Sequence, residues 1–292
     1  MEISGFTIVR NATQLDFPLE ASLRSVLPVV SELIVNVGAS EDDTLERVCA
    51  IGDPKLRVLQ TTWNLRRGPA MLADETQRAM AGCSSAWGIY IQADEVFADG
   101  GAERVREAIE RCDADPRVEG ILVDYQHFYG GFDTVARNRK WYRREVRAVR
   151  LGREADVRSF RDAQGFRVGP NQRHIRAVSS GAIMHHYGWA RPDWALQAKW
   201  DENRARHLGD GASSDVLSRL PWIPGIEPFT GEHPASMREW IAARRTDTPL
   251  VAPRRFHRQH VRLHASLLVE RLTGWRPFEF RNYDEVRREP VT

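Results

Sequence analysis

The chain has 292 residues, enough to bury a large core as one domain or as one domain with a smaller appendage. Its 42 lysines and arginines against 40 acids leave a formal net charge of +2, which excludes a general nucleic-acid binder in spite of local arginine-rich stretches. The cysteines, Cys49, Cys83 and Cys112, lie far apart without a Cys-x-x-Cys pair, which excludes a zinc cluster or disulfide scaffold and fits a reducing compartment.

Over the first 120 residues short apolar runs alternate with amphipathic stretches, the pattern of crossover units in a mainly parallel α/β sheet. Phe6 to Val9 predicts a first strand, and Pro18 suits the first turn of a helix carrying Leu19, Leu23, Val26 and Leu27 up to Pro28. Leu33 to Val37 predicts a second strand. Ser40 is placed to cap a helix with Glu41, Asp42 and Asp43 in its first turn. Leu56 to Leu59 is a third strand, Pro69 opens a helix to about Met80, Trp87 to Ile91 is a buried strand, and Ala102, Val105 and Ile109 mark a helix before a strand at Gly120 to Tyr125.

From Trp141 the pattern turns to arginine-studded alternation around Val146, Ala148 and Val149, which suits mixed or antiparallel strands, and Ala182 to Met184 is a further short apolar run. Residues 208–235 are rich in glycine and proline and predict an irregular loop. Beyond it Val261, Ala265, Leu268 and Leu272 repeat at helical spacing, with Gly274 placed to stop the helix. The expected organisation is a catalytic body over 1–207 and, over 208–292, this loop and a helical C-terminal extension packed on it.

The densest chemistry follows the Trp87 strand, where Gln92-Ala93-Asp94-Glu95 sets carboxylates at a strand's carboxyl end. Open α/β sheets hold ligands there, and a hard cation can bridge phosphates to such acids. A divalent cation needs one or two carboxylates, optionally an imidazole, and open positions. Asp94 supplies the first, and the paired histidines of Met184-His185-His186-Tyr187-Gly188-Trp189 the second. Neighbouring side chains on a strand point opposite ways, so one histidine faces the ion, and His186 is the choice.

Arg10 and Asn11 end the first strand, and Gly38 with Asp42 follow the second, at the same crevice; Gly38 permits close approach to a flat base. Trp63 and Arg66, after strand three, can stack on and charge-pair with a nucleotide. Arg143, Arg144 and Arg147 suit either an anionic ligand or a strand face with acidic partners.

Taken in order, strand, Arg10-Asn11, the Pro18–Pro28 helix, Ser40-x-Asp42-x-Thr44 and Gln92-Ala93-Asp94-Glu95 resemble the family 2 glycosyltransferases over roughly residues 3 to 200. The segments His127-Phe128-Tyr129-Gly130, Tyr142-Arg143-Arg144-Glu145-x-Arg147, Asp162-Ala163-Gln164-Gly165-Phe166-Arg167 and His186-Tyr187-Gly188-Trp189 resemble a bacterial subgroup of it. The resemblance implies an A-type glycosyltransferase fold, a nucleotide-diphosphate sugar donor, Mn2+ or Mg2+, and a glycan, lipid-linked or small-molecule acceptor. It also implies inversion.

Two positions depart from the family pattern. Gln92 stands where the first acid of Asp-x-Asp is usual, which leaves Asp94 the direct metal bond and gives Gln92 and Ala93 only donor contacts. Val37 stands where many relatives place a base-contacting aspartate. For the acceptor proton an inverting reaction needs a carboxylate, and Asp162 is the first choice, with Glu95, Asp124 and His127 as competitors. A nucleotidyltransferase would instead open with a glycine-rich basic loop after strand one, where this chain has Arg10-Asn11-Ala12-Thr13-Gln14; a non-catalytic sugar-binding protein is the other alternative. The N-terminal segment has no basic start and apolar stretch, and no apolar run of about 18 residues occurs, so the expectation is a cytoplasmic protein with at most peripheral membrane contact.

Overall fold

A computed structural model describes residues 1–152, 154–208, 220–245, 251–255, 257, 258 and 260–286. In chain order the elements are β1 (Ser4–Val9), α1 (Leu19–Val26), β2 (Glu32–Gly38), α2 (Thr44–Ala50), β3 (Leu56–Thr61), α3 (Ala70–Ala81), β4 (Trp87–Tyr90), β5 (Glu95–Phe97), α4 (Gly101–Cys112) and β6 (Gly120–Tyr129). There follow β7 (Thr134–Ala136), β8 (Arg144–Arg150), β9 (Val157–Phe160), β10 (Gly165–Val168), β11 (Ile175–Trp189), α5 (Asp193–Leu208), β12 (Ile226–Pro228), α6 (Arg238–Arg244), α7 (His260–Thr273) and β13 (Tyr283–Glu285).

The chain forms a mixed α/β sheet flanked by helices. β3, β2, β1 and β4 run parallel in that spatial order, as the alternating first third of the sequence predicts. Every residue of β1 and β2 is buried, because helices cover both faces of a parallel sheet and leave no solvent side. β8 then inserts antiparallel between β4 and β6, and β11 lies parallel to β6 on the far side. The core beneath β1, β2 and β4 gathers Leu19, Leu23, Leu33, Trp87, Val105 and Ile109 from strands and helices alike.

Some expectations shift. The helix placed at Ser40 begins at Thr44, because the Asp42 carboxylate accepts from Thr44 N at 3.1 Å and the Ser40 hydroxyl donates to Gly38 O instead of capping. The run at Ala182–Met184 belongs to a strand of 15 residues. On α7 the residues at helical spacing turn outward: Val261, Leu268 and Leu272 are exposed, while His260, Leu263 and Ser266 are buried. Of the expected loop, 209–219 lie outside the described residues, and β12 adds antiparallel to β7 within it. β13 joins the same sheet alongside β11. Among the described residues no helix is long and apolar enough to cross a membrane.

Candidate active site

Strand ends converge on one cleft. After β1 come Arg10, Leu15 and Phe17; after β3, Trp63; after β4, Gln92, Ala93 and Asp94; the turn joining β9 to β10 adds Asp162, and α5 adds Lys199. The cleft measures about 710 Å³ counting its open mouth. It lies outside the carboxyl ends of parallel strands, where the backbone must turn away and side chains from several crossovers meet.

Asp94 is the buried anion of this cleft. Its Oδ2 accepts from Arg191 Nη2 at 2.9 Å, with Lys199 Nζ at 3.6 Å and His186 Nε2 at 3.7 Å. Burial opposes the charge, but His186, Lys199 and Arg191 outweigh it and hold the carboxyl well below the usual carboxylate range. Lys199 also donates to Gly188 O at 2.8 Å, and its ammonium stands 4.9 Å from the centroid of a ring of Trp189.

Strand register brings His186 to this carboxylate. β5 pairs antiparallel with β11 so that His186 opposes Glu95, and Tyr187 N donates to Asp94 O at 2.8 Å. β11 pairs parallel with β6 so that His186 also lies opposite His127. The two rings therefore share a face, with Nδ1 to Nδ1 at 2.9 Å, and His127 Nε2 lies 2.8 Å from Tyr142 O. His185 points the other way, among Phe128, Tyr187, Phe229 and His233.

Glu95, a candidate for the catalytic base, is placed as a brace. It is fully buried and bound through both oxygens to Arg147, while it accepts from Tyr125 Oη at 2.6 Å and Gln92 N at 3.1 Å. Arg147 is consequently internal and unavailable to a ligand, and Arg143 and Arg144 are engaged by Glu279 and Glu285 from the C-terminal region. The acidic partners that the alternation left open come from that distant segment.

Asp162 is exposed at the cleft wall, at the tip of the β9–β10 hairpin. Its neighbours Arg161 and Ala163 have φ of 55° and 61°, left-handed values that side chains disfavour. Gln92 Nε2 donates to Ala163 O at 3.3 Å, which ties the hairpin tip to the strand that carries Asp94.

Other expected residues stand outside the cleft lining. Asn11 and Asp42 stitch the loops after β1 and β2: Asn11 Oδ1 accepts from Glu41 N, and Asp42 Oδ2 accepts from Thr13 N and Gln14 N, each at 2.9 Å. Gly38 does admit a flat ring, but the ring is Trp63, whose indole carbon would lie 2.6 Å from a Cβ at that position. Arg66 is exposed in a short turn of 3-10 helix. Arg191 and Lys199 gave no signal in the sequence, because they reach Asp94 through tertiary placement alone.

Asp94 Oδ2 and His186 Nε2 are the two donor atoms a divalent ion would take, and Arg191 and Lys199 stand on the same carboxylate oxygen. A Cβ on Gly188 would fall 2.6 Å from His186 Nε2 and 2.9 Å from Asp94 Oδ2, so glycine keeps open the space that both atoms face. Among the described residues no group of three or more acids, histidines and cysteines is placed to hold a metal ion. One carboxylate and one imidazole leave most positions to ligand oxygens, as at sites where a cation is shared with phosphates.

The sequence matches no family model and no curated protein. Among solved structures the chain is similar to TarS 1-349 of S. aureus in complex with UDP, at 19% identity and a TM-score of 0.36, covering 45% of this chain and 38% of that one. It is also similar to glucosyl-3-phosphoglycerate synthase from Mycobacterium tuberculosis in complex with Mg2+ and uridine diphosphate, at 20% identity and a TM-score of 0.31, covering 43% of each chain. A second structure of that synthase holds Mn2+, UDP-Glc and phosphoglyceric acid, again at 20% identity and a TM-score of 0.31, over 43% of this chain and 44% of that one. The matched part thus spans less than half of either neighbour.

Proposed function

We propose that the chain is a glycosyltransferase of the A-type fold, similar to family 2, which moves a sugar from a nucleoside-diphosphate donor to a glycan, lipid-linked or small-molecule acceptor with inversion. The observation that carries this is the convergence of Arg10, Trp63, Gln92, Asp94, Asp162 and Lys199 on one cleft at the carboxyl ends of β1, β3 and β4. Residues 1–207 carry the chemistry in this reading, and the described residues of 208–292 pack on them.

Trp63 and Arg10 line the nucleotide end of the cleft, and Lys199 meets the diphosphate. Asp94 and His186 would hold Mn2+ or Mg2+, which when bound supplies Lewis-acid neutralisation of the leaving group. Asp162 takes the proton of the acceptor hydroxyl as that oxygen attacks the anomeric carbon and the bond to the diphosphate breaks. The nucleoside diphosphate leaves with the electron pair. The UDP present in both neighbours makes UDP-Glc and UDP-GlcNAc the first donors to test.

A second reading has its own observation: Arg191 and Lys199 already balance Asp94, and side-chain cations in place of an ion could neutralise the diphosphate. Thermal-shift titration of UDP and its sugars, with Mn2+ or with EDTA, separates the two. Stabilisation that persists in EDTA favours the side-chain route; stabilisation that requires Mn2+ favours the ion.

Release of free UDP from a UDP-sugar, lost in Asp94→Asn, supports the glycosyltransferase. Release of pyrophosphate from a nucleoside triphosphate and a sugar phosphate would establish a nucleotidyltransferase instead. Donor binding without turnover on any acceptor would leave a sugar-binding protein.

A further inference from the structure

We propose that His127 is a positioning residue for the metal centre, which fixes the ring tautomer of His186 so that Nε2 turns a lone pair into the space beside Gly188. The inference rests on the glycosyltransferase reading, in which Asp94 and His186 hold the cation.

The chain of hydrogen bonds has one direction. Tyr142 O only accepts, so His127 Nε2, 2.8 Å away, carries the hydrogen. A neutral imidazole has a single N–H, which leaves His127 Nδ1 as a lone pair. His186 Nδ1 stands 2.9 Å from that lone pair and must donate to it. In the neutral ring pair, His186 Nε2 is then bare, and this is the nitrogen 3.7 Å from Asp94 Oδ2 that faces the Gly188 gap.

The surroundings keep the His127 ring neutral. His127 is buried and packed by Tyr125, Trp141 and Tyr142 at centroid distances of 5.1, 5.2 and 4.6 Å, a setting that disfavours an imidazolium. A cation bound at His186 Nε2 would take the place of any proton there, while Arg191 and Lys199 remain beside Asp94. A metal-bound histidine generally donates its other ring N–H to a fixed acceptor, which orients the ring and raises its basicity. Here the acceptor is a second histidine, itself pinned by a backbone carbonyl, and the parallel register of β6 and β11 sets the pair opposite one another.

The test is Mn2+ binding to the full chain, followed by electron paramagnetic resonance in the presence of UDP. His127→Leu keeps the volume but removes the acceptor and is expected to weaken Mn2+ binding about 10- to 100-fold. His127→Asn, which returns an oxygen acceptor to face His186 Nδ1, is expected to restore most of that loss. Parent-like affinity in His127→Leu overturns the proposal while the metal site stands. A parent protein that binds no Mn2+ with UDP overturns the ion-dependent reading and the proposal with it. Should His127→Leu fail to fold, imidazole 15N shifts of the parent decide: unprotonated Nε2 on His186 and unprotonated Nδ1 on His127 support the relay, and a protonated His186 Nε2 overturns it.

Discussion

Glu95 and Arg147 are joined by two hydrogen bonds, 3.0 Å from Nε to Oε2 and 2.7 Å from Nη2 to Oε1, with both side chains fully buried. The pair ties β5 to β8 directly beneath Asp94, and through Gln92 N it fixes the backbone that presents the acid. Neither ion has access to water, so each depends for its solvation on the other and on a few polar neighbours, Tyr125 Oη and Gln92 N for Glu95, Val146 O and Gln164 O for Arg147.

Arg147→Met is therefore expected to destabilise the protein by about 3–5 kcal/mol, because it leaves Glu95 charged and unpaired in the interior. The double change Glu95→Leu with Arg147→Met is expected to cost much less than the sum of the single changes. Urea denaturation of the four proteins in this cycle measures the coupling. Additive losses would show that the pair does not act as a unit.

Gly188→Ala tests the space between the proposed metal donors. The added methyl lands 2.6 Å from His186 Nε2 and 2.9 Å from Asp94 Oδ2, side chains held by His127 and Arg191, so one of them must shift. The melting temperature should fall modestly, and Mn2+ affinity should fall at least about tenfold. Unchanged Mn2+ binding would place the ion elsewhere.

Much of this arrangement was legible in the sequence, and what was legible shares a physical cause. The parallel strands β1 to β4 declare themselves as apolar runs between amphipathic helices, and Gln92 to Glu95 stands at a strand end by local pattern alone. The partition of His185 and His186 follows from strand alternation. The role of Glu95 was not legible, since nothing local distinguishes a carboxylate aimed at a ligand from one aimed at Arg147, 52 residues later. Arg191 and Lys199 were hidden for the same reason. The outward stripe of α7 shows the converse failure: helical spacing identifies a face but not what covers it.

Stability should fall in mild acid because of His185. Burial, with His233 nearby as the smaller cause, lowers its pKa from the ordinary 6.5 to about 3. Below pH 6.5 the unfolded chain takes up a proton that the folded ring refuses, so the contribution is whole above 6.5 and is lost progressively as the pH falls toward 3. The expected slope from this group is on the order of 1 kcal/mol per pH unit across that window. Urea denaturation at pH 7, 6 and 5 reads it, and His185→Gln, which cannot titrate, should flatten the curve. An equal slope in both proteins would assign the acid sensitivity to other groups.

Asp162 separates chemistry from binding. It is exposed on the cleft wall, at the tip of a hairpin whose flanking residues hold left-handed backbone angles. Strain of this kind costs about 1–3 kcal/mol per residue and persists where the surrounding structure enforces it, which here includes the bond from Gln92 to Ala163 O. A group positioned at that expense and open to the acceptor side suits proton removal. Asp162→Asn keeps size and hydrogen bonding but cannot act as a base, so kcat for sugar transfer should drop by about 10²- to 10⁴-fold with donor affinity little changed. Loss of UDP-sugar binding at unchanged kcat would instead make Asp162 a donor contact, and Asp124 would then be the next carboxylate to test: burial raises its pKa, against the opposing pull of Arg144 and Arg143.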